Sequence, residues 1–260
     1  MYVADGGLHR IQVFDSEGNF LLQWGSQGHD PGQLQEPWGL AVSANGEVYV
    51  ADTWNHRVQV FDGEGNFLRE WGGFGQTTGA VGGEGQFWGP RDIAIDAQGD
   101  VYVTDTGNKR GQKFSPQGEF LGQWGGVGIE GGQMDEPVGI AIGSGGNIYI
   151  ADTWNQRVQR FNSLFVPLAQ WSVEAWFGES LANKPYIATD PQGRVYVTDP
   201  EGYQVIAFTE DGELVATFGQ YGHDSQSFAQ PIGIDVDQEG RIYVVDSDNH
   251  RVMQFASLGE

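Results

Sequence analysis

Residues 48–72, VYVADTWNHRVQVFDGEGNFLREWG, decide the fold. The run at 48–52 is rich in strand-forming residues, and residues 57–61 alternate polar and apolar side chains, which is the period of a half-buried strand. Residues 62–66 (DGEGN) predict a tight turn, because glycine adopts positive φ and Asp and Asn tolerate it. Residues 67–71 predict a third strand. Such a unit cannot bury both of its faces alone, so other parts of the chain have to cover them.

Copies of this stretch recur along the chain. Each copy is anchored by the aspartate that ends its first strand, in segments such as MYVAD, VYVTD and IYVVD. The anchors are 47 residues apart, or 53 in one case, and they are Asp5, Asp52, Asp105, Asp152, Asp199 and Asp246. A strand that begins with proline, such as PWGLAV at 37–42, precedes all anchors but the first. Each repeat therefore has four strands, in a period that suits one blade of a β-propeller.

The repeat follows the pattern P-x-G-I-A-V and then G-x-V-Y-V-A-D-T-x-N-x-R-V-Q-x-F. This pattern resembles the NHL repeat, and the resemblance covers essentially the whole chain. It implies a six-bladed β-propeller, with which the six anchors agree. We therefore expect a single all-β domain over residues 1–260, a six-bladed propeller of four-stranded antiparallel blades.

The two ends of the chain depart from the pattern. The first repeat has no proline-led strand, and the last repeat stops after its third strand, at Phe255. We therefore expect incomplete first and last blades, and we interpret the 260 residues as part of a longer chain. An incomplete blade leaves a strand edge that can pair with another chain, which predicts edge-mediated self-association.

The charge of the chain limits its partners. The formal net charge is −22, which counts against a nucleic-acid partner, because a phosphate backbone requires clustered Lys and Arg. The charge suits cationic partners and leaves Ca²⁺ open, although we expect no cofactor, since a solvated acidic surface explains the charge as well.

Cysteine and hydropathy exclude further classes. The chain has no cysteine, which excludes disulfides and Cys-ligated zinc. No apolar run approaches membrane-spanning length, so we expect no direct membrane insertion. We interpret the chain as an extracytoplasmic or cell-surface part of a larger bacterial protein.

Residues that recur in the repeats are predicted to be structural. An aspartate and an arginine five residues later recur in five repeats, from Asp5 and Arg10 to Asp246 and Arg251. A carboxylate at a strand end can accept turn amides and an arginine fork together, so we expect a clamp in each of these blades. Repeat five differs, with Gln204 in the arginine position. Packing between blades is expected from the aromatic residues that end the outer strands: Trp24, Trp71, Trp124, Trp171 and Phe218.

Residues that do not recur in this way indicate a binding surface. In a propeller, the loop that enters a blade and the loop between its second and third strands emerge on one face, here called the loop face. Exposed aromatic rings on such loops suggest a place for a ligand. The candidate ligand-binding residues are Trp38, Trp54, Trp88, Arg91, Trp154 and Tyr186. The sequence leaves open the alternative that several of these rings roof a central channel and are buried.

Two functions remain. The first is a non-catalytic interaction module that holds a protein, a peptide or a glycan on the loop face. The second is a metal-dependent enzyme, because similar propellers include lyases and lactonases with a site at the central channel. Such sites need polar ligands on the innermost strands, where this sequence has Asp92 and Asp235 but no histidine. The interaction module is the favoured hypothesis, and we predict no catalytic and no metal-binding residue.

Overall fold

The computed structural model describes residues 1–77, 83–176 and 184–259. Their regular structure consists of β-strands and short 3₁₀-helical turns, and the strands form antiparallel sheets of neighbours in sequence. The chain divides into two compact units, Met1–Val127 and Gly128–Glu260, with three sheets in each. Within the described ranges no helix is long and apolar enough to span a membrane.

Each sheet of the first unit is one blade, with its strands in chain order. The three-stranded blade 1 comprises β1 (Tyr2–Asp5), β2 (Arg10–Phe14) and β3 (Phe20–Trp24). Blade 2 comprises β4 (Pro37–Val42), β5 (Val48–Asp52), β6 (Arg57–Phe61) and β7 (Phe67–Gly72). Blade 3 comprises β8 (Pro90–Ile95), β9 (Val101–Asp105), β10 (Arg110–Phe114) and β11 (Phe120–Gly125). One 3₁₀ turn precedes the arginine strand of each blade: Gly6–Leu8, Thr53–Asn55 and Thr106–Asn108.

The second unit repeats this arrangement. Blade 4 comprises β12 (Pro137–Ile142), β13 (Ile148–Asp152), β14 (Arg157–Phe161) and β15 (Pro167–Ser172). Blade 5 comprises β16 (Ile187–Thr189), β17 (Val195–Asp199), β18 (Gln204–Phe208) and β19 (Leu214–Phe218). The three-stranded blade 6 comprises β20 (Pro231–Val236), β21 (Ile242–Asp246) and β22 (Arg251–Phe255), with a 3₁₀ turn at Ser247–Asn249. The prediction of a six-bladed β-propeller fold with incomplete first and last blades is confirmed.

The innermost strands carry a bulge that blade 5 lacks. In β4 the register with the second strand shifts between Pro37 and Leu40, and β8, β12 and β20 have the same shift. The segment PYIAT at 185–189 is one residue shorter than PVGIAI at 137–142, so it has no residue to place in the bulge. Its ladder begins at Ile187, two residues later than the sequence pattern predicts.

The aromatic residues that end the outer strands pack between blades, as predicted. The Trp71 ring of blade 2 lies 5.8 Å from the Phe114 ring of blade 3, measured between centroids. In the second unit, Trp171 of blade 4 lies 6.0 Å from Phe208 of blade 5. A Cβ on Gly118 would come within 2.6 Å of the Trp71 ring, so the turn of blade 3 needs glycine at this close approach.

Candidate ligand-binding face

A hydrogen-bonded clamp holds the turn on the loop face of blade 2. Asp52 is fully buried, and its Oδ2 accepts from Arg57 Nε at 2.8 Å, Asn55 Nδ2 at 2.8 Å and Gln59 Nε2 at 2.9 Å. Its Oδ1 accepts from the backbone N–H of Gln35 at 2.6 Å. One carboxylate therefore joins the 3₁₀ turn, the third strand and the loop that enters the blade. The predicted role of the recurring Asp and Arg is confirmed by these contacts.

The clamp also fixes the entering loop. Arg57 Nη2 donates to the carbonyl oxygens of Asp30 and Gln33, at 3.1 and 3.0 Å. The backbone N–H of Trp54 donates to the carbonyl oxygen of Gln35 at 3.1 Å. Both loops of the face are thus held together by the clamp.

The burial of the clamp differs between blades. Arg110 and Asp105 in blade 3 are fully buried and 2.8 Å apart. Burial raises the pKa of the Asp105 carboxyl, while hydrogen bonds from the Trp88 amide and from Arg110 act against this rise. In blade 5, where the arginine is missing, Gln204 Nε2 donates to Asp199 at 2.7 Å instead.

Exposed aromatic rings gather on the loop face of the first unit. Trp54 is 44% exposed, Phe74 59% and Trp88 36%. The His56 ring stands between two of them, with its centroid 6.3 Å from that of Trp54 and 5.0 Å from that of Phe74. Trp54 Nε1 donates to a carboxylate oxygen of Glu36 at 3.0 Å, which fixes the orientation of the indole. We call Trp54, Phe74 and Trp88 the aromatic patch.

Trp88 holds its place because the next turn has glycine where blades 2 and 4 have tryptophan. The backbone N–H of Gly107 donates to the carbonyl oxygen of Trp88 at 2.8 Å. A Cβ on Gly107 would lie 2.6 Å from the Trp88 ring, so any larger residue would displace the indole. In blade 3 the tryptophan therefore lies in the entering loop, whereas in blade 2 Trp54 lies in the turn.

Trp38 and Arg91 lie together at the starts of adjacent innermost strands. The guanidinium carbon of Arg91 lies 4.4 Å from the centre of the Trp38 ring, which is a cation–π contact. Both residues are half-buried. Pro90, which precedes Arg91, accepts a hydrogen bond from Thr53 Oγ1 at 2.8 Å. The base of Arg91 is thus tied to the turn that carries Trp54.

The second unit presents its candidate residues differently. Trp154 is half-buried, with the Lys184 ammonium 5.6 Å from the centre of its ring. Lys184 pairs with Glu136 at 2.7 Å. Glu136 occupies the position that Glu36 has in blade 2, but its carboxylate forms an ion pair with Lys184. Tyr186 is 6% exposed, and its backbone N–H donates to Thr198 Oγ1 at 2.9 Å.

Two acidic side chains lie on the innermost strands. Asp92 is buried, and its Oδ1 accepts from the Ile93 amide at 2.9 Å. Asp235 has a solvent-exposed side chain, and desolvation by the surrounding strands raises the pKa of its carboxyl. In the ranges that the structure describes, no group of three or more His, Asp and Glu side chains is placed to hold a metal ion.

Three neighbours of these residues are not among the predicted ligand-binding residues: Phe74, Glu36 and Lys184. Glu36 and Glu136 each lie directly before the proline that begins an innermost strand, and their φ angles are positive, 49° and 50°. That recurrence is visible in the sequence and could have added Glu36 to the candidate residues. Phe74 follows the glycines that end an outer strand, and nothing in its neighbourhood distinguishes it from turn residues elsewhere.

Comparison with solved structures shows the same fold in proteins of low sequence identity. A virginiamycin B lyase from Staphylococcus aureus, solved as an inactive variant with quinupristin, is 14% identical, with a TM-score of 0.66 over 99% of this chain and 76% of that one. A gluconolactonase from Xanthomonas campestris is 14% identical, with a TM-score of 0.66 over 94% and 78%. A protein of unknown function from Bacteroides caccae is 13% identical, with a TM-score of 0.69 over 98% and 89%.

Comparison with sequences identifies the repeat. No curated protein matches the chain. The family model described as NHL repeat matches at residues 34–61, 87–114, 134–161 and 228–255, each of which runs from the entering loop of a blade to the end of its third strand. The blades that are not matched are blade 1, which lacks the proline-led strand, and blade 5, which lacks the clamp arginine. The chain therefore contains four NHL repeats within a β-propeller fold.

Proposed function

We propose that the chain is a non-catalytic binding module that holds a protein, a peptide or a glycan against its loop face. The aromatic patch of the first unit carries this proposal. Three large rings remain 36% to 59% exposed on one set of adjacent loops. Contact of these rings with water is unfavourable in free energy, and a ligand that covers them would remove this penalty.

The surroundings of the patch support a role in binding. Clamps fix both kinds of loop, so the rings stand on a rigid base, as binding aromatics in other proteins do. The Glu36 carboxylate lies next to the Trp54 indole, and a ring beside a carboxylate suits a sugar, which stacks and donates hydroxyl groups, or a basic peptide.

The test is a screen of glycan and peptide arrays with the labelled chain, followed by substitution of the patch. We expect Trp54→Ala to weaken binding of the selected ligand about 30-fold, because a central tryptophan contributes about 2 kcal/mol or more to an interface. Titration calorimetry or fluorescence anisotropy of the ligand measures the change.

Leu68→Ala is the matched control. Leu68 is 44% exposed, the same fraction as Trp54, but it lies on the outer strand β7. We expect this variant to bind as the wild type does. If a selected ligand binds equally well to the wild type, Trp54→Ala and Phe74→Ala, the aromatic patch is not the binding surface.

A metal-dependent enzyme, a lyase or a lactonase-like hydrolase, is the second candidate. The proteins with this fold named above include a lyase and a gluconolactonase, and Asp235 is a solvent-accessible carboxyl on an innermost strand. Elemental analysis of the purified chain separates the candidates. Ca²⁺ or Zn²⁺ at one ion per chain, lost in Asp235→Asn, would favour the enzyme over the binding module.

A further inference from the structure

Arg91 differs from every other arginine of the chain. All the others form an ion pair with an aspartate or a glutamate, most of them as clamps. Arg91 forms no ion pair with any residue that the structure describes, although the chain has a net charge of −22. Its Nη1 is buried, with no hydrogen-bond partner among the described residues.

This arrangement is unfavourable in the isolated chain. A buried N–H of a charged group loses its hydration, and the loss of free energy is recovered only if an acceptor takes its place. The Trp38 ring offers the guanidinium a π-face at 4.4 Å but no acceptor oxygen. Asp92, the next residue, accepts from the Ile93 amide and forms no ion pair with Arg91.

We propose that Arg91 and Trp38 form the binding site for a carboxylate group of the ligand. This inference rests on the function proposed above, because it places a charged group of the same ligand on the same loop face. The carboxylate pairs with the half-buried guanidinium of Arg91, and the apolar part of the ligand lies against the indole.

The position of Arg91 links this site to the aromatic patch. Thr53, directly before Trp54, bonds to Pro90, directly before Arg91. Trp88 and Gly89 lead into the same strand, and a Cβ on Gly89 would lie 3.7 Å from the Trp54 ring. A ligand can therefore touch the patch while its carboxylate reaches Arg91.

The charge of the protein favours a carboxylate over a phosphate. The field of 35 acidic residues repels every anion, and it repels a phosphate, with a charge of about −1.5 to −2 at neutral pH, more strongly than a singly charged carboxylate. Two kinds of ligand bring a carboxylate of this sort: a peptide with a free C-terminus and a sugar acid.

The unpartnered indole N–H of Trp38 adds little to this argument. Its Nε1 is buried without a partner, but so are those of Trp24, Trp71 and Trp171, which pack between blades. Arg160 also has a buried nitrogen without a partner, its Nε, but its guanidinium pairs with Glu210 and Asp211, whereas Arg91 has no ion pair with any described residue.

The first experiment compares carboxylates with their uncharged amides. Tryptophan fluorescence of the full chain is titrated at constant ionic strength with benzoate and with benzamide, and small ligands of this size bind with a Kd of about millimolar. We expect saturable binding of benzoate and at least tenfold weaker binding of benzamide. Equal binding of the two compounds, or no saturable response to benzoate, would overturn the proposal.

The variants Arg91→Gln and Arg241→Gln locate the effect. We expect Arg91→Gln to weaken benzoate binding tenfold or more, about the effect of losing one charged hydrogen bond. Arg241→Gln removes the same charge from an exposed arginine that already pairs with Asp237 and Glu239, so it should bind as the wild type does. Benzoate affinity unchanged in Arg91→Gln contradicts the site.

Stability gives an independent readout. Because Arg91 has no ion pair to lose, we expect Arg91→Met to leave the melting temperature of the free chain unchanged or to raise it. A fall of several degrees would show that Arg91 serves the fold, and the proposal would be wrong.

Inorganic phosphate, glucuronate with methyl glucoside, and N-acetylalanine with its amide then distinguish the sources of the anion. Stronger binding of phosphate than of both carboxylates would contradict the choice of anion.

The two proposals can fail separately. A ligand from the arrays that binds Arg91→Gln as well as the wild type, but not Trp54→Ala, leaves the binding face in place and removes the carboxylate site. If benzoate binding depends on Arg91 but the array ligand binds Trp54→Ala as well as the wild type, the aromatic patch is not the binding surface and the anion site is retained.

Discussion

The clamp aspartate and arginine occur in environments that range from open to fully enclosed. In blade 1, Arg10 and Asp5 keep 27% and 25% of their side-chain surface. In blade 3, Arg110 and Asp105 keep none. Arg110 also donates to the carbonyl oxygens of Gly83 and Gln86, both at 2.8 Å. The same sequence motif should therefore contribute very different free energies in different blades.

Removing one partner of the enclosed clamp should be severe. We expect Arg110→Met to lower the free energy of unfolding by about 3–5 kcal/mol, because it leaves a buried carboxylate without its counter-charge. Arg10→Met, the matched change in blade 1, should cost about 1 kcal/mol or less, since exposed ion pairs contribute little. Urea unfolding followed by tryptophan fluorescence measures both. Equal losses in the two variants would contradict a role of burial.

His56 should make the stability depend on pH. Its Nδ1 accepts from the backbone N–H of Gly89 at 3.1 Å, which requires the neutral ring. Burial lowers the pKa of His56, and the charges of Asp105 and Asp52 only partly oppose this. Since the folded chain prefers neutral His56, the contribution is complete above the unfolded pKa of about 6.5 and is lost as pH falls through the lower folded value.

The variant His56→Asn tests this dependence. Asparagine tolerates the φ of 57° at this position and keeps an acceptor oxygen, so its fold should be retained. We expect the loss of unfolding free energy between pH 7.5 and pH 5 to be smaller in the variant than in the wild type. Urea unfolding at the two pH values measures this loss. An identical loss in the variant and in the wild type would show that His56 does not contribute.

At the scale of single elements, β22 stands out among the described strands that begin with a clamp arginine, because it has one neighbour where the other four have two. In the described sheet of blade 6 the order is β20-β21-β22. Elsewhere the outer strand gives the clamp arginine a polar partner, as Glu70 does for Arg57 and Gln170 for Arg157. Arg251 Nη1 donates instead to the carbonyl oxygen of His223. The free edge of β22 presents backbone groups to which another strand can bond.

This edge should support self-association. We propose that the chain forms concentration-dependent oligomers through β22, and we expect Gln254→Lys to reduce them, since a lysine on an edge strand opposes pairing. Gln98→Lys makes the same exchange at an exposed turn and should leave association unchanged. Sedimentation velocity over a range of concentrations measures the oligomers. Equal association in both variants and the wild type would place the contact elsewhere.

The strands could be predicted closely from the sequence, because alternation and turn chemistry act locally. β6 has the predicted bounds, and β7 runs one residue beyond its prediction, to Gly72. Events that involve two elements could not be predicted. The fit of Trp88 over Gly107 joins a loop and a turn 19 positions apart, and the late start of β16 follows from a single missing residue.

For the whole molecule, the repeat made the fold predictable but did not determine which residues form the candidate site. Six anchors fix the number of blades, because each copy cannot bury its faces alone. Exposure of a given ring depends on its rotamer and on neighbours from other loops, which no periodic pattern encodes. Trp54 is thus 44% exposed and the matching Trp154 half-buried under Lys184, although both occur in the segment ADTWN.

The reach of the clamp arginine has a consequence for the order of folding. Arg57 bonds to Gln33, Arg110 to Gln86, Arg157 to Gln133 and Arg251 to Ser227, each across 24 residues. Each of these four blades therefore closes the loop that was synthesised just before it, and the closure entropy of so short a loop is modest. These tertiary contacts can form stepwise as the chain leaves the ribosome, which gives a protein made entirely of strands a local route to its native state.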